Sequence, residues 1–263
     1  MTDISILGDT PLERLKNLMT RLRGPGGCPW DAEQSFETIA PYTIEEAYEV
    51  SDAIERKDMP GLKEELGDLL FQVVFHSEIA SEMGAFNLDE VCNTLTAKMI
   101  DRHPHVFETP DDRDAQMQVV AWEEVKAKER ADKGQSGILS DVALALPALM
   151  RAEKLQKRAA RAGFDWPNLD GVLDKITEEA AEVAEAAASK DPDAIEDEIG
   201  DLIFAVTNLA RKLKVDPEVA LRRTNRKFTQ RFEKIEAYAK SEGLNLSDMS
   251  LDEMEGQWQK AKL

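Results

Sequence analysis

Apolar residues recur three and four positions apart along this chain, which is the spacing of one face of an α-helix. The first such run contains Leu12, Leu15 and Met19. It follows the sequence Thr-Pro-Leu-Glu at residues 10–13, a helix-capping sequence with proline at the first helical position. A Gly-Pro-Gly-Gly segment at residues 24–27 then stops the run. These features predict a helix between the two segments.

The same spacing predicts helices along almost the whole chain, with proline, glycine and capping residues at their ends. They cover residues 43–56, 60–83, 87–102, 114–130, 147–162, 173–189, 192–213, 217–240 and a short last helix after Ser250. We find no convincing alternation of apolar and polar residues of the kind that marks a half-buried strand. The predicted fold class is therefore all-α, of the four-helix-bundle type.

The chain also contains an internal repeat. Residues 45–73 align without gaps with residues 178–206, and 14 of the 29 aligned positions are identical. The constant offset of 133 predicts a tandem duplication of one helical unit. We place an N-terminal domain at 1–132, a linker at 133–142 and a C-terminal domain at 143–263.

Acidic residues dominate the repeated positions. They are Glu45, Glu46, Glu49, Glu65 and Asp68 in the first copy, and Glu178, Glu179, Glu182, Glu198 and Asp201 in the second. Helix positions three apart share a face, and a short turn makes the two helices antiparallel neighbours, so four carboxylates of each copy should converge. Crowded carboxylates favour a hard divalent cation such as Mg²⁺, or Mn²⁺ in its place. The pattern therefore predicts metal-dependent chemistry on a phosphate ester or anhydride.

Other interpretations of these acids are weaker. A single glutamate is usually part of a solvated helix face. A second alternative is that Thr43 and Glu46 serve merely as a helix-capping box. Ile176 replaces Thr43 in the second copy although Glu179 is retained, which argues against the capping role. A P-loop motif and the Glu-x-x-His motif of di-iron bundles are both absent from the sequence.

Charge and cysteine content narrow the partners. The chain has 33 Lys and Arg against 52 Asp and Glu, a net charge of −19. Such a field repels nucleic acid and anionic membranes, so we expect neither as a partner. Cys28 and Cys92 are too few for a disulfide framework, and the N-terminal residues lack a signal-peptide pattern. We therefore expect a reducing, cytoplasmic location.

The duplicated acid motif resembles that of the MazG nucleoside triphosphate pyrophosphohydrolases, within the all-α NTP pyrophosphatase superfamily. Three further segments are similar to MazG landmarks, namely Gly27–Asp31, Arg102–Phe107 and Gly163–Trp166. The resemblance covers nearly the whole chain. It implies Mg²⁺-dependent hydrolysis of nucleoside triphosphates to the monophosphate and pyrophosphate, with broad base tolerance and a housecleaning role in the nucleotide pool. It also implies a homodimer that completes the helical bundles.

The resemblance further implies roles for individual residues. The metal ligands would be Glu179, Glu182, Glu198 and Asp201, with Glu46, Glu49, Glu65 and Asp68 matching them in the first half. The catalytic acids would be Glu178, Glu179 and Glu45, of which Glu45 and Glu178 orient water or support the ligands. The substrate-binding residues would be Lys154, Arg158, Trp166, Asn225, Lys227, Arg231, Trp258 and Lys262.

The two halves differ outside the acids, and two alternatives to the main function stay open. Asn225 of the second half corresponds to Thr96, so we expect the second half to be the main catalytic unit. One alternative is a sibling enzyme with a narrow substrate, such as dUTP or phosphoribosyl-ATP. The other is a non-catalytic helical adaptor that retained the acids.

Overall fold

The computed structural model describes residues 4–108, 114, 117, 118, 121, 122, 125, 137–140 and 142–262. These residues form eleven α-helices and no strand, so the all-α prediction is confirmed for them. Most of the predicted helix over 114–130 and much of the predicted linker lie outside the described residues. The chain divides into two compact units, Met1–Val125 and Lys126–Leu263, which are called the first and second units below. The predicted domain boundaries stay predictions.

Among the described residues, six α-helices belong to the first unit and five to the second. The first unit contains α1 (Pro11–Arg23), α2 (Pro29–Glu33), α3 (Phe36–Arg56), α4 (Met59–Glu82), α5 (Leu88–Asp101) and α6 (Pro104–Phe107). The second contains α7 (Ala148–Arg161), α8 (Asp170–Ser189), α9 (Pro192–Lys212), α10 (Pro217–Glu242) and α11 (Leu251–Ala261). Short 3-10 helices occupy Ile4–Leu7 and Leu246–Asp248.

Each unit is organised around one antiparallel helix hairpin. Helices α3 and α4 make the most extensive contacts in the first unit, and α8 and α9 do so in the second. The hairpins turn at equivalent residues, Lys57 and Lys190, which both adopt the left-handed conformation with φ of 58° and 61°. Asp58 and Asp191 then cap the next helix by accepting a backbone N–H. The repeat in the sequence is thus a repeat of one hairpin.

Helix α3 begins seven residues before its predicted start at residue 43. Ser35 and Thr38 form a reciprocal cap at the true start, and Pro41 lies inside the helix. The proline lacks only one backbone donor near the beginning of a long helix, so the cap and the packing outweigh its cost. Thr43 is consequently an interior residue whose Oγ1 donates to Ile39 O at 3.4 Å. A cap formed by Thr43 and Glu46 is therefore excluded.

The first unit has a continuous apolar core between α1, α3, α4 and α5. Its buried members are Met19, Ile39, Val74, Phe75, Ile79 and Leu88. In the second unit, α9 packs against α7 and α8, whereas α10 and α11 share a separate small cluster. That cluster contains Ile235, Ala239 and Met249, with Trp258 packed against it. The acidic ends of the hairpins are therefore held by packed helices.

The sequence predicts a packed seam beside the acids of the first hairpin, formed by Val50, Ala53, Leu66, Leu69, Leu70 and Val73. This prediction holds only in part. Ala53 is buried and Val50 and Leu69 are half-buried, but Leu66, Leu70 and Val73 are 50%, 41% and 38% exposed. Their counterparts in the second unit, Ile199, Ile203 and Val206, are 43%, 49% and 48% exposed. Only the opposite sides of α4 and α9 face the core of their own unit. The same apolar stripe is thus exposed twice.

No helix in the described part of the chain has the length and apolar character that crossing a membrane would require.

Candidate functional site

The second hairpin brings three glutamates together. Glu179 and Glu182 lie one turn apart on α8, and Glu198 faces them from α9. One carboxylate oxygen from each lies within 4.8 Å of the others. Glu179 is only 2% exposed, and its Oε2 has no hydrogen-bond partner among the described residues. Burial and the charges of Glu179 and Glu198 raise the pKa of Glu182.

A lysine lies against this acid cluster. Lys175 precedes Glu179 by one turn of α8, and its Nζ lies 2.5 Å from Glu179 Oε1 and 2.9 Å from Glu178 Oε1. Hydrogen bonds to Glu179 and Glu178 raise the pKa of Lys175. The counterpart of Lys175 in the first unit is Tyr42. Only the second hairpin therefore has a cation at this position.

The first hairpin forms the equivalent cluster from Glu46, Glu49 and Glu65. One oxygen from each again lies within 4.8 Å of the others. Burial raises the pKa of Glu46, with further contributions from Asp68 and Glu49, and burial raises that of Glu65 as well. Burial is thus the main cause of both raised pKa values, and the neighbouring negative charges add to it. In each unit, three of the four carboxylates that were predicted to converge lie close together.

The remaining acids of the motif lie at the edges of the clusters. Asp68 acts electrostatically on Glu46 and Glu65, and Asp201 lies beside Glu179 on the wall of a cavity. Neither aspartate belongs to the group of three close oxygens. Glu45 is exposed, and Glu178 is engaged by Lys175. Each predicted set of four metal ligands therefore consists of a close triad with one adjacent aspartate.

The donor sets fit a divalent cation. Both consist of carboxylate oxygens, which are the ligands that Mg²⁺ and Mn²⁺ prefer. The unpartnered, buried Oε2 of Glu179 adds a specific observation, because an unpaired buried carboxylate oxygen is costly unless a positive group satisfies it. The residues that would hold the ion in the second unit are Glu179, Glu182, Glu198 and Asp201.

A cavity of about 440 Å³ opens beside the second cluster. It lies between α7, the segment after α7, α8 and α9, and both Glu179 and Asp201 reach its wall. Most of the other lining residues are apolar, namely Leu139, Leu155, Ala159, Phe164, Trp166, Phe204 and Ala205. The volume lies within the usual range of small-molecule sites. The site thus joins an acidic end to an apolar chamber.

The segment that carries Trp166 is held firmly in place. Asp165 accepts from Arg211 Nη2 at 2.6 Å and lies 2.9 Å from Lys212 Nζ. Burial alone would raise the pKa of Asp165, but the hydrogen bonds from Lys212 and Arg211 outweigh it and lower the pKa. The indole of Trp166 lies against Gly171, where an added Cβ would come within 2.3 Å of its Cδ1. The tryptophan ring is therefore positioned from two sides.

Comparison with known proteins shows that the two acidic hairpins lie in two matches to one domain family. The model of the MazG nucleotide pyrophosphohydrolase domain matches residues 34–107 and 169–235, one segment in each unit. The chain belongs to the MazG family. Each matched segment contains one hairpin with its acidic cluster.

Relatives of this MazG chain span most of its length. It is 48% identical over 254 residues to "Nucleoside triphosphate pyrophosphohydrolase" of Escherichia coli, with 95% of this chain and 97% of the relative covered. It is 45% identical over 251 residues to "Nucleoside triphosphate pyrophosphohydrolase/pyrophosphatase MazG" of Thermotoga maritima, with 95% of each covered. A third relative, "Uncharacterized protein YabN" of Bacillus subtilis, is 42% identical over 248 residues, which is 50% of its own length.

The predicted substrate residues of this MazG chain do not all meet at the cavity. Among the described residues that line it, Trp166 is the one from the predicted set. Arg158 donates to Ser140 O, and Lys262 donates to Gln259 Oε1 at 3.1 Å. The guanidinium of Arg231 lies 5.5 Å from the ring centre of Trp258. Lys154, Asn225 and Lys227 are exposed. The roles of these seven residues outside the cavity wall stay predictions.

Sequence reasoning missed four residues at the site, Lys175, Gln156, Asn208 and Arg211. Lys175 could have been found, because it lies four positions before Glu179 and so shares its helix face. Asn208 and Arg211 carry no repeated signal, since the first unit has Phe75 and Glu78 at their positions, and Gln156 lies outside the repeated segment.

The corresponding space in the first unit is filled by side chains. Gln72 stands where the second unit has Ala205, and Phe75 where it has Asn208. Arg23 corresponds to Ala159 when α1 is aligned with α7. This alignment pairs Pro11 with Pro147 and Gly27 with Gly163. Phe75 is 1% exposed and Gln72 is 7% exposed. Both MazG units keep the acids, but the first lacks the small residues that border the second unit's cavity.

Proposed function

We propose that this chain hydrolyses nucleoside triphosphates to the nucleoside monophosphate and pyrophosphate, with the second unit as the main catalytic unit. One observation carries the proposal: the acidic cluster of that unit lies at the wall of an apolar cavity of nucleoside size. The names of the Escherichia coli and Thermotoga maritima relatives support the same reaction. We also propose broad base tolerance and a housecleaning role against non-standard nucleotides.

We propose Mg²⁺ as the cofactor, with Mn²⁺ as a substitute. Glu179, Glu182, Glu198 and Asp201 would hold it, and the equivalent acids of the first unit are proposed to bind the ion as well. When bound, the ion supplies positive charge that offsets the triphosphate and polarises its phosphorus–oxygen bonds. The raised pKa of Glu46, Glu65 and Glu182 supports this assignment, because a cation would relieve their repulsion.

The side chains around the cluster have separate tasks in this proposal. Glu178, at the solvent-facing side of the acids, orients the attacking water and takes up its proton, and Glu45 is its counterpart in the first unit. Trp166 offers an indole face on which the base stacks. Lys154, Arg158, Lys227, Arg231 and Lys262 would bind the phosphates, with Asn225 and Trp258 contacting the rest of the nucleotide. Attack at the α-phosphorus follows from the family resemblance.

The test is a panel of nucleoside triphosphates assayed with Mg²⁺ and separate detection of pyrophosphate and orthophosphate. The expected first product is pyrophosphate for several bases. Orthophosphate as the first product would contradict the proposal. Turnover restricted to dUTP or to phosphoribosyl-ATP would identify the narrow sibling enzyme instead. Absence of both turnover and Mg²⁺-dependent thermal stabilisation would identify the non-catalytic adaptor, since an ion that binds the folded state must stabilise it.

We further propose that two copies of the chain form a homodimer. The support is the apolar stripe that α4 and α9 each leave exposed, with Leu70 and Ile203 near the middle of the two stripes. Exposed apolar surface that recurs at equivalent positions is typical of an interface. Light scattering of the full chain should give twice the monomer mass, and Ile203→Glu should reduce it. Leu144→Glu, at a residue that is 83% exposed and lies outside α4 and α9, is the matched control.

The proposed location is the cytoplasm, where nucleoside triphosphates are made and used. Cys28 and Cys92 are free thiols, which suits a reducing compartment. Cell fractionation with an antibody to the chain would test the location, and recovery in an extracytoplasmic fraction would contradict it.

A further inference from the structure

We infer that the amide side chains of Gln156 and Asn208 recognise the base by its hydrogen-bonding edge, Gln156 as acceptor and Asn208 as donor. This inference rests on the proposed function and makes it more specific. Both residues line the cavity beside the acidic cluster, one from α7 and the other from α9. Among the described residues that line the cavity, they are the two with amide side chains, next to seven apolar and five charged residues.

The orientation of the Gln156 amide is fixed by the neighbouring helix. Its Nε2 donates to the backbone oxygen of Phe204 at 2.8 Å. A flipped amide would place Oε1 against that carbonyl oxygen, and two acceptors cannot bond each other. Oε1 is therefore an acceptor, and it has no hydrogen-bond partner among the described residues. Gln156 is 7% exposed, and a buried acceptor without a partner is costly until a donor satisfies it.

Asn208 is oriented by the opposite kind of contact. Arg211 Nε donates to its Oδ1 at 2.8 Å, and Arg211 is itself held by Asp165. Because Oδ1 faces a donor, the Nδ2 protons are what this side chain can offer to a ligand. Asn208 is 4% exposed and keeps its position through packing on α9. The wall thus carries one fixed acceptor and one fixed donor.

This pair suits a base of any standard type better than one particular base. Each standard base has an N–H or amino donor beside an acceptor on its pairing edge, so one acceptor and one donor can be matched by rotating the base. A base that lacks the donor would leave Gln156 Oε1 unpaired in the complex, and sites built around a hydrogen bond discriminate against such analogues. The expected specificity is broad across standard bases and poor for a donor-free ring.

The test compares ATP with purine riboside triphosphate, which lacks the 6-amino group and has no donor on its six-membered ring. With Mg²⁺, the intact chain should show a kcat/KM for ATP about 10-fold or more above that for the analogue. In Gln156→Leu the ratio should fall to about 1, because neither substrate can then bond to the acceptor. Gln156→Met, with a different shape, should give the same collapse of the ratio.

Gln72→Leu is the matched control. Gln72 is also 7% exposed and also has an unpartnered Oε1, but it lies in the first unit. It should keep the ratio of the intact chain, so a general loss of stability is separated from a loss of recognition. Equal use of ATP and the analogue by the intact chain would overturn the inference alone, as would an unchanged ratio in both Gln156 variants. No hydrolysis of any nucleotide would overturn the proposed function as well.

Discussion

The two units of this chain share an acidic hairpin but differ in the space beside it. In the second unit Ala159, Ala205 and Asn208 border a cavity of about 440 Å³. In the first unit Arg23, Gln72 and Phe75 take those positions, and Phe75 belongs to the buried core. The guanidinium of Arg23 lies 5.3 Å from the ring centre of Phe75 and also bonds Glu82 at 2.7 Å.

This difference separates two properties that enzymes of this kind combine. The three close carboxylates depend on a single hairpin, so they persist in both units. A nucleoside chamber depends on small side chains from several segments, so a few larger residues remove it without disturbing the acids. The comparison teaches that the acidic motif determines where carboxylates gather, whereas the residues around it decide whether there is space for an organic ligand beside them.

The largest expected effect separates the two acid clusters. Glu179→Gln should lower kcat for nucleoside triphosphate hydrolysis by more than about 100-fold, because it removes the charge of a proposed metal ligand at the cavity wall. Glu46→Gln is the matched change in the first unit and should retain most of the turnover. Steady-state kinetics on both purified variants checks this, and the reverse ranking would reject the second unit as the main catalyst.

A second variant transfers the first unit's side chain into the second. Ala205→Gln introduces the residue found at position 72, which should occupy the chamber and lower kcat/KM by at least about 10-fold through steric exclusion. Binding of Mn²⁺, measured by electron paramagnetic resonance, should change little because the carboxylates are untouched. Ala205→Ser keeps the chamber open and serves as control. Unimpaired turnover in Ala205→Gln would show that the nucleoside binds elsewhere.

A smaller effect is expected on the pH dependence of thermal stability, which the acids of the first unit influence when no metal is present. The pKa of Glu46 is raised, so folding favours its protonated form, and that stabilisation is lost as the pH rises through the raised value. In EDTA, Glu46→Gln should therefore unfold at a higher temperature than the intact chain at neutral pH. This difference in unfolding temperature should vanish at pH values below the ordinary carboxylate pKa. Addition of Mg²⁺ at neutral pH should reverse its sign.

The control for this pH effect has the opposite sign. A hydrogen bond from Ser35 lowers the pKa of Glu37, so its charged form stabilises the fold above the ordinary carboxylate range. Glu37→Gln should accordingly lower the unfolding temperature at neutral pH, with or without Mg²⁺. Equal behaviour of the two variants in thermal unfolding would contradict the repulsion assigned to the cluster.

The smallest expected effect tests whether the two hairpin turns are equivalent. Lys57→Gly and Lys190→Gly should each raise the free energy of unfolding by up to about 1 kcal/mol, because glycine adopts the left-handed conformation without strain. Denaturant titration measures the change. Lys63→Gly, inside α4, should instead lower stability by about 1 kcal/mol. Opposite signs at Lys57 and Lys190 would show that the turns are not interchangeable.

Much of the fold follows from local rules in the sequence. The cap of Thr10 with Glu13 forms as predicted, and Ser250 and Glu253 form the same kind of cap at the start of the predicted last helix. Glu46 and Glu49 share a helix face because they lie three positions apart. The start of α3 was missed because Pro41 suggests a boundary, while the helix is fixed by Ser35 and by packing.

The cavity and the exposed stripes could not be predicted in this way. Gln156 and Asn208 come together from two helices and follow no periodic pattern, so only the packing of α7 on α9 reveals them. Leu70 and Ile203 are apolar like core residues, yet the spacing of apolar residues along a helix does not show what packs against them. The pattern therefore identifies the apolar face of a helix but not the surface that covers this face.

The left-handed lysine turns also have a kinetic consequence. Each close triad comes from two helices joined directly by such a turn, so its members are near neighbours along the polypeptide. Contacts of short sequence separation form rapidly, because little chain entropy is lost in closing the loop. A divalent ion that is present during synthesis would therefore stabilise the correctly paired helices of each hairpin as they leave the ribosome. The ion would then assist folding of the enzyme before any turnover takes place.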